Sequence, residues 1–200
     1  KKPLIISTGM SQIKDIDLAV NFAKKNGSKE IIILYCVSNY PSKIEDFNFK
    51  NIDIIKKRYS CKVGFSDHSI DNRVASAAIL AGADYIEKHI ALNNQKIGFD
   101  IKFSLKGSEI KNFREDIDVA WKLRGRNYFY RNKSENINKI FKRSIYVVKK
   151  IKKGDKFTKE NISVIRPGFS LNPIYYYKML NKKAKKNYLA GDRIKYSQVF

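Results

Sequence analysis

His68 and His89 are the only two imidazoles in the 200-residue chain. Each closes a short segment, Gly64-Phe65-Ser66-Asp67-His68-Ser69 and Ile86-Glu87-Lys88-His89. In parallel α/β sheets and barrels, ligands bind beyond the carboxyl ends of the strands. Neighbouring strands lie about 4.8 Å apart. If the intervening residues form one strand–helix unit, both rings reach one metal ion. Two imidazoles completed by oxygen ligands suit a divalent first-row metal, with Mn²⁺ more at home on nitrogen than Mg²⁺. Position alone leaves a second reading open, in which each ring caps a helix or hydrogen-bonds within its loop.

Hydroxyls recur at the same kind of place. Ser7 in Ser7-Thr8-Gly9-Met10, Ser38 in Cys36-Val37-Ser38-Asn39-Tyr40-Pro41 and Ser66 each stand at the end of an apolar segment. Helix N-termini nearby offer free N–H groups that favour anions, which suits a phosphate. Read singly, each serine is first of all a helix cap. Arg166, in Arg166-Pro167-Gly168, could present a guanidinium to a carboxylate or an amide oxygen. Read alone, that tripeptide is a plain turn.

The elements that must position these residues follow from two alternating periods. Pro3–Ser7, Glu30–Cys36, Cys61–Phe65 and Tyr85–Lys88 read as strands. Between and after them, Ile13 to Ala23 (capped by Ser11 and ended by Gly27), Phe49–Arg58, Asp71–Leu80 and Ser108–Lys122 read as amphipathic helices. Strand–helix units repeating in this way give a parallel sheet with right-handed crossovers. The sheet is either an open doubly wound one or part of a (β/α)₈ barrel, which needs about 250 residues when complete. Leu123–Ile140 is polar, basic and aperiodic and reads as a linker; a flexible chain of that length spans about 23 Å. From Arg143 onward, short strands (Ser144–Val148, Ile162–Ile165 and a last one after Gly191-Asp192), turns and a short helix from Pro173 suggest a small β-rich domain. The expected division is 1–122, 123–140 and 141–200.

Composition narrows the classes. The chain holds 41 Lys and Arg against 19 Asp and Glu, a net charge of +22. Residues 121–200 carry 22 of the basic residues and only 4 acidic ones. That asymmetry suggests two domains and raises a basic nucleic-acid-binding module as a distant alternative. Compositional drift in a chain rich in Lys, Asn, Ile and Tyr is the preferred account of it. The apolar runs are far shorter than the roughly 20 residues that span a bilayer, and the N-terminal residues lack the apolar stretch of a signal peptide. Cys36 and Cys61, the only cysteines, form no CxxC and suit a reducing cytoplasm.

Taken together, Ile6-Ser7-Thr8-Gly9-Met10, Ser38-Asn39-Tyr40-Pro41, Gly64–Ser69 and Ile86–His89 resemble the sialic acid synthase family, as does Asp100 placed before Phe103-Ser104-Leu105. Lys152-Lys153-Gly154-Asp155 and Ile165-Arg166-Pro167-Gly168-Phe169 resemble the antifreeze-protein-like (SAF, β-clip) domain that ends those enzymes. The wording is closest to the pseudaminic acid synthase branch, with N-acetylneuraminate and legionaminate synthases as alternatives. The resemblance implies an α/β fold: the C-terminal half of a TIM barrel followed by the small domain. It implies condensation of phosphoenolpyruvate with an N-acylated hexosamine, giving a nine-carbon 2-keto sugar acid and phosphate.

Residue by residue, the resemblance implies that His68 and His89 hold the metal, Mn²⁺ before Mg²⁺, which polarises the sugar aldehyde. Ser7 and Ser66 match phosphate-binding serines. Tyr40 and Asp100, with Ser38 beside them, match positions that hold the amino sugar. Arg166 matches an arginine that reaches from the small domain of one subunit into the barrel of the other in a homodimer. The general base and the lysines that grip phosphoenolpyruvate belong to the first half of the family barrel, whereas this chain opens near the fifth strand. It therefore reads as a fragment, a split gene product or an inactive structural remnant. Asn93-Asn94-Gln95-Lys96 stands where relatives carry a tighter, more acidic loop.

Overall fold

The computed structural model describes residues 2–200. It divides into two compact units, Lys1–Asn127 and Tyr128–Phe200.

The first unit is built on four parallel strands in sequential order: β1 (Leu4–Ser7), β2 (Ile31–Cys36), β3 (Lys62–Asp67) and β4 (Tyr85–Lys88). Helices α1 (Ile13–Lys25), α2 (Lys50–Tyr59) and α3 (Arg73–Leu80) connect them, and α4 (Ile110–Arg124) follows. Consecutive parallel strands joined by helices are one half of a (β/α)₈ barrel wall. Side-chain alternation along the strands sorts the two faces. Ile31, Ile33 and Tyr35 of β2 and Val63 and Phe65 of β3 pack with Ile16, Val20, Ile52, Ile55 and Ala78 in one core on the helix side. Ile32, Leu34, Cys36, Gly64 and Ser66 therefore face the opposite side, the barrel interior. Gly64 is small because it must be: a Cβ there would lie 2.4 Å from Leu34 Cδ2 and 2.8 Å from the Tyr85 carbonyl oxygen.

Some local details differ from the sequence expectation. Gln12, not Ser11, caps α1, and its N–H donates to the Asp15 carboxylate at 2.9 Å. The segment after β4 contains a parallel pair, β5 (Ile90–Ala91) with β6 (Leu105–Lys106), where the sequence suggests loop alone. Within the stretch read as linker, Lys133–Phe141 forms 3₁₀ turns with Asn132 as cap. Asn and Ser cap such turns locally, so no long-range apolar period is needed to form them.

The second unit pairs β7 (Ser144–Val147) antiparallel with β8 (Ile162–Ile165). Its core is Ile145, Val147, Ile151, Phe157, Ile162, Met179, Tyr188 and Ile194. α5 (Tyr176–Met179) follows a 3₁₀ turn begun by Pro173. The expected last strand is absent: Arg193 makes one isolated bridge to Tyr146, and the chain then turns through Tyr196–Gln198. No helix among the described residues is long and apolar enough to cross a membrane.

Candidate functional site

The parallel register sets the site. Ser66 pairs with Glu87 and Asp67 with Lys88 across β3 and β4. The residues one step further along are His68 and His89. Their rings lie 5.5 Å apart, centroid to centroid.

His68 is 6% exposed and held from three sides. Its Nδ1 lies 2.9 Å from the Val37 carbonyl oxygen. A carbonyl only accepts, so Nδ1 carries a proton, and in the neutral ring Nε2 is the nitrogen with the lone pair. Its own carbonyl accepts from Ser42 N–H at 3.0 Å. Ser42 Oγ donates to the Val37 and Asn39 carbonyls, which closes the loop after β2 over the histidine. His89 sits in the break between β4 and β5, and its carbonyl accepts from Leu105 N–H at 2.8 Å. Its Nδ1 lies 3.6 Å from Asp100 Oδ2, with both side chains partly open to solvent.

Aromatic rings enclose the pair. Tyr40 lies 4.5 Å from His68, centroid to centroid. Phe103, buried, lies 6.0 Å from His68, 5.2 Å from His89 and 5.6 Å from Tyr40. A cavity of about 220 Å³ opens at His89 and is lined also by Gln95, Asp100 and Ser104. A larger hollow, about 630 Å³, lies between the ends of β1 and β2 and helices α1 and α2. Its walls combine helix-side residues such as Ile16, Tyr35 and Ile55 with Thr8, Cys36 and Ser38 at the strand ends, and neither histidine lines it.

The structure thus brings Tyr40, His68, His89 and Asp100 together. The serines are arranged differently. Ser66 is buried, and its Oγ donates to Glu87 Oε1 at 2.7 Å. To serve a phosphate its proton must leave Glu87, a residue that the sequence reading passed over. Ser38 stands close against Gly9 and Cys36: a Cβ on Gly9 would fall 2.0 Å from Ser38 Oγ. Burial, the largest influence there, pushes the Cys36 thiol up, against a hydrogen bond with Ser38. Ser7 is exposed at the end of β1, opposite Leu34 in register. None of these serines caps a helix: the caps of α1, α2 and α3 are Gln12, Phe49 and Asn72. Arg166 lies in the second unit, exposed, directly after β8. Asn93 and Gln95 tie down their own loop, Asn93 Oδ1 accepting from Ser108 N–H and Gln95 Oε1 from Leu92 N–H.

Chemically, the pair offers one oriented imidazole lone pair and a second ring within reach of the same ion. No group of three His, Cys, Asp or Glu side chains able to hold a metal converges among the described residues. The donor set therefore fits an ion whose remaining positions are filled by oxygen from water or substrate, an open site rather than a closed structural one.

A half-barrel wall with an aromatic-lined imidazole pair at its carboxyl edge defines a barrel-type α/β protein with a polar ligand site in the usual place. The chain belongs to the NeuB family, which matches residues 1–128, and the SAF domain matches residues 142–199. It is 36% identical over 195 residues to the pseudaminic acid synthase of Campylobacter jejuni subsp. jejuni serotype O:2, covering 98% of this chain and 57% of that protein. It is 35% identical over 198 residues to an N,N'-diacetyllegionaminic acid synthase of the same organism, covering 97% and 59%. Among solved structures, the putative spore coat polysaccharide biosynthesis protein E from Chromobacterium violaceum shares the fold, with a TM-score of 0.74 at 21% identity over 98% of this chain and 60% of that one. The chain spans just over half the length of the curated relatives it matches.

Proposed function

We propose that this chain carries the metal and sugar side of the active site of a phosphoenolpyruvate-dependent synthase. The reaction joins phosphoenolpyruvate to an N-acylated hexosamine and releases phosphate and a nine-carbon 2-keto sugar acid. A pseudaminic-type product is the first choice, in keeping with the 36% identity to a pseudaminic acid synthase; legionaminic- and neuraminic-type products are the alternatives. One observation carries the reading. The His68 Nδ1–H is committed to the Val37 carbonyl, which leaves Nε2 for a ligand beside His89.

His68 and His89 would hold a divalent cation, Mn²⁺ before Mg²⁺. Bound there, the cation supplies Lewis-acid polarisation of the sugar aldehyde. The chain's own residues orient and enclose. Phe103 and Tyr40 pack against the His68 ring, which is buried, while His89 stays open toward the cavity; Tyr40 offers a hydroxyl to the sugar. Asp100, at the rim of the cavity beside His89, accepts from sugar hydroxyls. Ser38 stands beside Tyr40 and Asp100 on the sugar side, and Ser7 and Ser66 line the path of the phosphoenolpyruvate phosphate. Arg166 would close the site of a second subunit in a homodimer, where its planar fork can hold a carboxylate or amide oxygen by paired bonds; its exposure after β8 leaves it able to do so.

The test combines the chain with a polypeptide supplying four further βα units of a NeuB-family barrel. Product should form from phosphoenolpyruvate and an N-acylated hexosamine only with Mn²⁺ present, and His68→Ala should lower the rate at least about a hundredfold. Product formation indifferent to chelator and to His68→Ala would refute the proposal. In the same system, mixing Arg166→Ala subunits with His68→Ala subunits should restore one intact site per mixed dimer. No recovery in dimers shown to have exchanged subunits means that Arg166 serves its own subunit.

A further inference from the structure

Behind the two histidines lies an ion pair that the site does not otherwise use. Asp67 and Lys88 are cross-strand partners, with side chains 0% and 4% exposed. Lys88 Nζ lies 2.9 Å from Asp67 Oδ2 and also donates to the Ser69 carbonyl. The other carboxylate oxygen, Asp67 Oδ1, accepts from Ser69 N–H at 2.8 Å. His68 is therefore straddled: the residues on both sides of it are tied to each other and to Lys88. Lys88 in turn directly precedes His89. Alternation along a strand sends Asp67 and Lys88 to the helix side and the two histidines to the other.

We infer that the buried Asp67–Lys88 pair is the positioning device that sets the spacing of the His68 and His89 rings. The reasoning is geometric. At the end of a parallel sheet the ladder hydrogen bonds stop, and strand ends are free to splay. The strand pairing of β3 with β4 ends at Asp67 and Lys88. The ion pair continues the lateral tie at the last register position, where two rings must share one ion. A buried pair is a poor source of stability compared with apolar packing, and apolar side chains at these positions would hold the sheet equally well. They would not fix the peptide of Ser69 by both its N–H and its carbonyl. The inference rests on the proposed metal site and concerns two residues to which that proposal gives no role.

The test uses the full chain and Mn²⁺ alone, with the free ion counted by electron paramagnetic resonance. The variants are Asp67→Asn/Lys88→Met, which removes both charges, and the single changes Asp67→Asn and Lys88→Met. Removing one partner of a buried pair is strongly destabilising because it leaves an uncompensated charge, whereas removing both charges does not, so the double variant should melt above the less stable of the two single variants. Its Mn²⁺ affinity should nevertheless fall by about tenfold or more, the scale for losing a group that orients a metal ligand. The chain has only two histidines, so ring ¹⁵N spectra are simple; both sets of ring signals should shift in the metal-free double variant. Any of the three variants that folds and binds Mn²⁺ within twofold of the parent overturns the inference. If none folds, the pair serves the whole fold rather than the two rings, and the inference also fails. His68→Ala separates the two levels. If it leaves Mn²⁺ affinity unchanged, the metal site and the inference fall together. If it abolishes binding while a folded pair variant binds normally, only the inference falls.

Discussion

The ring of His68 donates through Nδ1 to the backbone carbonyl of Val37 at 2.9 Å, across 31 residues of chain. That bond joins the end of β3 to the loop after β2 and decides which ring nitrogen is free. The neutral ring should therefore be the Nδ1–H tautomer. Long-range ¹H–¹⁵N correlation of the two histidines should show His68 protonated at Nδ1, with Nε2 carrying the signature of a bare lone pair. A ring protonated at Nε2 alone would remove the basis for assigning it to a metal.

Gly64 controls how closely β3 approaches its neighbours. An alanine Cβ would press within 2.8 Å of Cβ and the carbonyl oxygen of Tyr85, and within 2.4 Å of Leu34 Cδ2. The Leu34 methyl can turn away, but the backbone of β4 cannot yield without moving. Gly64→Ala should cost about 1–3 kcal/mol of stability, the usual scale of overpacking. The strain falls on the strand that carries His89, so Mn²⁺ affinity should drop in the same variant. Urea unfolding and ion titration measure the two effects; unchanged stability with unchanged affinity would contradict the packing described.

Asp84 anchors the far end of the same unit. Its carboxylate meets Lys56 Nζ at 2.9 Å and Arg124 Nη1 at 3.0 Å, and Arg124 also donates to the carbonyls of Gly82 and Ala83. Burial alone would raise the carboxyl, but the two cations outweigh it and hold it below its ordinary 3.8. A carboxyl held lower in the folded state contributes stability that is complete above about pH 4 and is lost as pH falls through the folded value. Asp84→Asn should therefore cost about 1.5–3 kcal/mol at pH 7, the scale of a charged hydrogen bond. The gap to the parent should narrow as acid is added below pH 4. Urea midpoints at pH 7 and pH 3 test this; an equal gap at both would show that the pair contributes nothing through charge.

Much of the fold was legible because it is local. Apolar runs and amphipathic spacing place the four strands and their helices, and Tyr85–Lys88 and Ile162–Ile165 fall where the pattern puts them. The expected last strand did not form, because a strand needs a partner along its length and Arg193 finds one only at Tyr146. The parallel pairing of Ile90–Ala91 with Leu105–Lys106 escaped notice for a related reason. Two-residue strands have no period to read.

By itself, the sequence determined that two imidazoles stand at the ends of neighbouring strands, because the length of a strand–helix unit is written in local propensity. It also determined that polar residues gather at one edge, since Ser38, Tyr40 and Ser66 stand at or just beyond the ends of apolar runs; Asp100 was marked only by the family resemblance. Only the tertiary structure decided what each of these side chains touches. Ser66 turned to Glu87, Phe103 came from 14 residues beyond His89 to stand against both imidazoles, and Asp67 and Lys88 paired behind them. Cross-strand register sets those partners, and register is a property of two strands together. No single stretch of chain contains it.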